Sequence, residues 1–201
     1  YFLGVVVLAL GIVIQTESGL GVASLTCFAD ALSRISGVTL GTMVSATYIA
    51  YVFVQLVLLG REFQPRILLE IGFSVMIGMF TDVFSAVIPI HPAALPERVV
   101  TMLLSLCLTS FGVSLVVNMG VVPNAPDGLV QVIAEKMRKR FGDVKVVFDS
   151  IHVAVALALT LAVLGTVGGF GPTTVISALF LGRMINVMNR LFAARFTRAA
   201  F

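Results

Sequence analysis

Apolar runs of near-membrane length alternate with short polar breaks along this chain: Tyr1 to Thr16, Thr42 to Gly60, Ile67 to Ile88, Val99 to Val117, Val146 to Val167 and Thr173 to Leu191. A helix needs about 20 apolar residues to cross a bilayer core of about 30 Å. Most of the runs have that length, which predicts six spanning helices. The first run is shorter and opens without Met, so a start upstream of Tyr1 is expected and targeting signals are not read.

The pattern occurs twice. Gly11-Ile-Val-Ile answers Gly112-Val-Ser-Leu, and Gly19-Leu-Gly answers Gly120-Val-Val at the same offset. A longer second linker then shifts the register by one helical turn, so that the Leu-Leu-Gly ending at Gly60 matches the Val-Leu-Gly ending at Gly165. Late in each half, Ile77-Gly78-Met79-Phe80-Thr81-Asp82 lies over Leu181-Gly182-Arg183-Met184-Ile185-Asn186. These anchors divide one membrane domain, residues 1–201, into a repeat of about 1–90 and a second of about 98–192. Three spans per half is an odd number, so the second half enters the membrane upside down. The expected fold is therefore all-α, with six transmembrane helices arranged as two inverted three-helix repeats.

Between the first and second span of each half lies a segment too short to cross. Ser24 is placed to cap a helix running to Ile35, with Cys27, Phe28, Ala31 and Leu32 on one side and Asp30 and Arg34 four apart. Asn124-Ala-Pro-Asp supplies a cap and a first-turn proline before Leu129, Val130, Val132 and Ile133, and the segment ends at Gly142. Two placements fit each segment: an amphipathic helix on the surface, or a re-entrant half-helix. A re-entrant pair would turn amide ends toward an anionic or strongly polar ligand, although Asp127 argues against a purely anionic one.

Composition agrees with a bilayer as solvent: 59% of the residues are hydrophobic, 11% are charged, and the mean hydropathy is +1.09. Arg61, Arg66, Lys136, Arg138, Lys139, Arg140, Lys145, Arg190, Arg195 and Arg198 fall on the side of both termini, against Arg34 and Arg98 on the other. The positive-inside rule then makes the N- and C-termini cytoplasmic. The net charge of +3 reflects that bias and gives no support to nucleic-acid binding. Lys136-Met-Arg-Lys-Arg reads as a topology determinant that also suits anionic lipid headgroups. Cys27 and Cys107 read as small hydrophobes, and two Cys with two His give no metal-ligand spacing. No phosphate loop, zinc helix or activated nucleophile is present, so neither an enzyme nor a cofactor is expected.

Polar residues at depth are the candidate site. Asp82 and Arg183 occupy neighbouring repeat positions, with Asn186 the counterpart of Asp82. They are expected to pair, to line one cavity, or to snorkel to opposite faces. Glu17 and its counterpart Asn118 end spans where the chain turns, and Asn124 opens the second short helix. These six are the candidate substrate-binding residues. Asp149 and His152, three apart on span five, form a candidate proton-coupling pair or an interfacial one. Glu70 is expected at the interface. Stripes at Ala154, Ala158 and Ala162 and at Thr42, Ala46 and Ala50 suit close helix contact within the chain, in a homodimer or with a membrane partner.

Gly19-Leu-Gly-Val before a short amphipathic segment, then Gly37-Val-Thr-Leu-Gly41-Thr opening a span, resembles the YitT/YczE-like family of bacterial multi-pass inner-membrane proteins. Phe63-Gln-Pro to Asp82 and Gly171-Pro-Thr-Thr to Gly182 are similar to that family's entry into a helix and its Gly/Asp ending. The likeness covers nearly the whole chain. It departs at Phe63 to Ile67, where Gly-Thr is absent, and at Arg183. The resemblance implies a multi-pass protein of the bacterial cytoplasmic membrane and assigns no catalytic residue. Three functions follow as expectations: transport of a small polar solute from a site between the repeats, a substrate-binding membrane subunit of a partner-energised importer, or a non-transporting scaffold or regulator.

Overall fold

The computed structural model describes the chain except Phe63, Pro89, Ala200 and Phe201, with side chains through Leu191. The motif residue Phe63 and the side chains of Arg195 and Arg198 therefore lie outside the described residues. The elements in order are α1 (Phe2–Glu17), α2 (Ser24–Ser36), α3 (Leu40–Leu59), α4 (Leu69–Val87), α5 (Leu95–Asn118), α6 (Ala125–Met137), α7 (Phe141–Leu164) and α8 (Pro172–Ala199), and no strand occurs among the described residues. Short 3-10 turns at Gly60–Glu62 and Pro65–Leu68 join α3 to α4.

Local chemistry sets the boundaries. Pro126 and Pro172 sit in first turns, where the missing N–H is no loss. Gly37 and Gly165 close α2 and α7 at φ of 72° and 66°, a left-handed conformation that a side chain disfavours. Arg138 closes α6 at φ 53°, a position where glycine would be the less strained residue. Ser24, expected to cap α2, is instead its first helical residue, and Ala23 precedes it without a side-chain cap.

Among the described residues four helices, α3, α4, α5 and α7, are long and apolar enough to cross a membrane, while α1 is a shorter apolar helix. Of the six expected spans, the first therefore falls short of that length, with 16 residues in α1, and the described part of α8 carries Arg183 and Arg190. A membrane protein is the reading that fits the surface. On α7, Val146, Val147, Ile151, Val155 and Val163 are all exposed, a run that water would not tolerate on an ordinary monomer. Hydroxyls within the apolar helices turn inward on their own backbone: Ser74, Thr81, Ser110 and Thr160 each donate to the carbonyl four residues earlier.

At the centre α1 crosses α5. A Cβ on Gly11 would press on the backbone of Thr109, and one on Gly112 would press on that of Leu8. Each glycine thus seats on the residue three before the other, so the crossing looks the same from either helix. Small residues let backbones approach where lipid supplies no hydrophobic drive. Around this crossing α4 packs on α1 and α8 on α5, α2 lies along α7 and α3, and α6 lies along α3 and α7. The buried apolar cluster includes Val5, Leu8, Ile12, Val44, Phe73 and Ile77. The alanine stripe at Ala154, Ala158 and Ala162 and the one at Thr42, Ala46 and Ala50 are exposed, so neither makes the expected contact within the chain.

Candidate functional site

Both short helices begin inside the protein and end at its surface. Ser24 is 4% exposed and Ala125 0%, whereas Ser36 and Met137 at the other ends are exposed. The start of α2 is held from three sides. The Gln15 Oε1 of α1 accepts from Ala23 N at 3.0 Å, the Ser177 Oγ of α8 accepts from Ser24 N at 3.2 Å, and Ser24 Oγ donates to Asp149 Oδ2 of α7 at 3.3 Å. The start of α6 is held by α3, where Gln55 Nε2 donates to Ala125 O at 3.1 Å. The Tyr48 hydroxyl lies beside Asn124.

Lys145 joins the two helix starts. Its ammonium donates to Asp127 Oδ1 at 2.7 Å, in the first turn of α6, and stands 3.4 Å from Asp149 Oδ1. Lys145 and Asp149 are four apart on α7 and so share a face. One cation between two carboxylates leaves one negative charge in excess. The amide ends of α2 and α6, each equivalent to roughly half a positive charge, offset it. The Lys145 side chain is 22% exposed and that of Asp149 13%, so the cluster is largely shielded without being sealed.

Several buried polar atoms at the helix starts have no hydrogen-bond partner among the described residues: Gln15 Nε2, Asn124 Oδ1, Thr173 Oγ1 and Asp149 Oδ1, the last facing only Lys145. Gln15 is 0% exposed and Asn124 6%. Such groups are almost always satisfied in folded proteins; here they comprise an amide donor, a hydroxyl that can donate or accept, and two acceptor oxygens. Among the described residues no group of three or more His, Cys, Asp or Glu is arranged to hold a metal ion.

The candidates divide. Asn124 and Asp149 belong to this cluster. Asp82 and Arg183 do not meet: Asp82 accepts from Gly41 N at 2.8 Å and from Thr39 Oγ1 at 2.7 Å, and Arg183 lies over the Phe180 ring. The pairing is excluded because α4 turns Asp82 onto the start of α3, while α8 packs against α5 and α2. Asn186 is exposed. Glu17 pairs with His91 at 3.2 Å, and Asn118 donates to Asn189 Oδ1 at 2.7 Å and to Ser114 O at 2.7 Å, so both tie helix ends away from the cluster. His152 does not pair with Asp149. Its Nε2 meets Tyr51 Oη at 2.6 Å and its Nδ1 meets Phe148 O at 2.7 Å. A carbonyl can only accept, so Nδ1 carries a proton, and in the neutral ring Tyr51 donates to Nε2.

Sequence reasoning missed Gln15, Gln55, Lys145 and Glu70. Glu70, expected at the interface, is 1% exposed and accepts from Gln55 Nε2 at 2.8 Å. Glutamine in an otherwise apolar run was the available signal, since each buries an amide that needs partners.

No curated protein matches the chain, and no solved structure does. The profile of a family of unknown function covers residues 1–190. The chain therefore belongs to the family of unknown function DUF6198.

Proposed function

We propose that this protein transports a small polar solute across the bacterial cytoplasmic membrane, from a site where the starts of α2 and α6 approach Lys145 and Asp149. In this reading the chain crosses six times as two inverted repeats, α1 to α4 and α5 to α8, with both termini cytoplasmic. The short helices are re-entrant. The resemblance to YitT/YczE-like proteins is part of the same reading.

Support for the repeats comes from the packing pairs, which exchange under α1 with α5, α2 with α6, α3 with α7 and α4 with α8. The pairs α1–α4 and α5–α8 correspond, as do α2–α3 with α6–α7 and α2–α7 with α6–α3. Gly11 on Thr109 and Gly112 on Leu8 obey the same exchange. The observation that carries the functional reading is the bridge Ser24–Asp149–Lys145–Asp127 between two buried helix starts. Partly buried charge at such a place is costly and is characteristic of solute pathways. A cluster of near-zero net charge with unpartnered donors and acceptors favours a zwitterionic or neutral polar solute.

The test is a thermal-shift screen of the purified protein against zwitterionic, neutral, anionic and cationic solutes, followed by flux in liposomes, because a ligand of the native state raises its melting temperature by mass action. A zwitterionic or neutral hit that is lost in Lys145→Met and carried into liposomes is the expected result. Absence of any hit across the panel, or a hit unaffected by Lys145→Met and Asp149→Asn, would overturn the site.

A further inference from the structure

The two halves differ at the contact between their last two long helices. Near the start of α3, Gly41 faces Gly78 of α4: a Cβ on Gly41 would overlap the Gly78 carbonyl, and one on Gly78 would overlap both Ser45 Oγ and the Gly41 carbonyl. Four residues after Gly78, Asp82 accepts from Gly41 N, from Thr39 Oγ1 and, at 3.2 Å, from Thr42 Oγ1. The carboxylate thereby caps α3 from the neighbouring helix and supplies the acceptor that its amide end lacks.

The second half carries the same parts, held apart. The linkers before α3 and α7 are equally long, not longer in the second half as expected, so the extra turn lies within α7 and the two helix starts correspond. Gly142 is the second residue of α7, as Gly41 is of α3, and Gly182 occupies the repeat position of Gly78. A Cβ on Gly142 or on Gly182 would meet nothing within 4 Å. Whereas α3 and α4 pack over much of their length, α7 and α8 touch only marginally. Asn186 follows Gly182 by four residues, as Asp82 follows Gly78, and is exposed.

The substitutions between the halves are complementary. Where the α3 start presents Thr42, the α7 start presents Asp143. A second aspartate at position 186 would meet Asp143 with like charge. Asparagine can instead accept from the Gly142 amide through Oδ1 and donate to Asp143 through Nδ2.

We infer that α8 closes onto α7 in a second conformation through the contact that α3 and α4 already make, with Gly182 seated on Gly142 and Asn186 capping α7. Lys145 lies one turn beyond Gly142, so the closure covers the approach to Lys145 and Asp149 from that side. The inference rests on the repeat correspondence of the proposed transporter. It names α7 and α8 as the moving gate and the α3–α4 pair as its closed counterpart.

The test needs no solute. With Cys27→Ala and Cys107→Ser as background, Asp143→Cys and Asn186→Cys are introduced together and oxidised in native membranes. An intramolecular cross-link that falls at least tenfold on adding Gly182→Leu, and is kept on adding the control Gly72→Leu, is the expected result; Gly72 also faces open space. No cross-link, a cross-link indifferent to Gly182→Leu, or one formed only between two copies would overturn the inference. A nitroxide pair at residues 143 and 186 provides a second readout, with two distance populations expected and a single long one contrary. Closure without any solute hit would leave the gate standing and the proposed site refuted, so the two failures are distinguishable.

Discussion

Gln55 donates to Glu70 at 2.8 Å between side chains that are each 1% exposed. The same amide also donates to Ala125 O, so one glutamine ties α3 to α4 and to the start of α6. Replacing it by leucine removes both bonds and leaves a buried carboxylate without that donor, at a cost of about 2–4 kcal/mol. Gln55→Leu is expected to lower the melting temperature far more than Glu70→Gln, which keeps an acceptor for Gln55. In a double-mutant cycle the two sites should couple by about 1–3 kcal/mol. Equal losses with strict additivity would contradict the contact.

Gly78 and Gly182 share a repeat position and should respond oppositely to alanine. At Gly78 the added methyl overlaps Ser45 and the Gly41 carbonyl, and overpacking of that kind costs about 1–3 kcal/mol. At Gly182 it meets open space, and alanine recovers about 0.5–1 kcal/mol of helix propensity. Thermal unfolding in detergent checks the sign at each site.

Asp82→Ala removes the acceptor for Gly41 N, Thr39 Oγ1 and Thr42 Oγ1 together. The expected loss is about 1–2 kcal/mol, the size of a lost helix cap. It should appear as faster amide exchange at the α3 start, with the α7 start unchanged.

Cys27 is 3% exposed, and burial pushes its thiol up to about 11. The thiolate is the reactive form, so in a Cys107→Ser background the maleimide labelling rate should still climb between pH 7 and 10, about tenfold per unit, without a plateau. A plateau near pH 9 would show an unburied thiol.

The helices were legible because hydropathy and helix length dominate in a membrane. The six apolar runs and both short segments correspond to helices, and the glycines Gly37, Gly60 and Gly165 end three of them. The site was legible only in part. Asn124 and Asp149 stood out as polar residues near helix starts, but Lys145 passed for one more cytoplasmic charge. Its 2.7 Å partner Asp127 lies on another element, and charge bias alone cannot tell a topology signal from a bridge between helices. The proposed pair of Asp82 and Arg183 failed for a related reason. Repeat position says which residues correspond, not which ones touch, and Asp82 found its partner inside its own half.

The linker before α2 and the one before α8 lie against each other: Val22 N donates to Gly169 O at 2.9 Å, and Thr173 N donates to Leu20 O at 3.0 Å. Thr174 Oγ1, 152 residues beyond Val22, donates to the Val22 carbonyl at 2.7 Å. During synthesis the linker that opens the first short helix must therefore wait for the last long one. At about 5–20 residues per second the delay is roughly 8–30 s, over which the Val22 amide and carbonyl and the Ser24 amide lack the partners that Gly169, Thr174 and Ser177 supply.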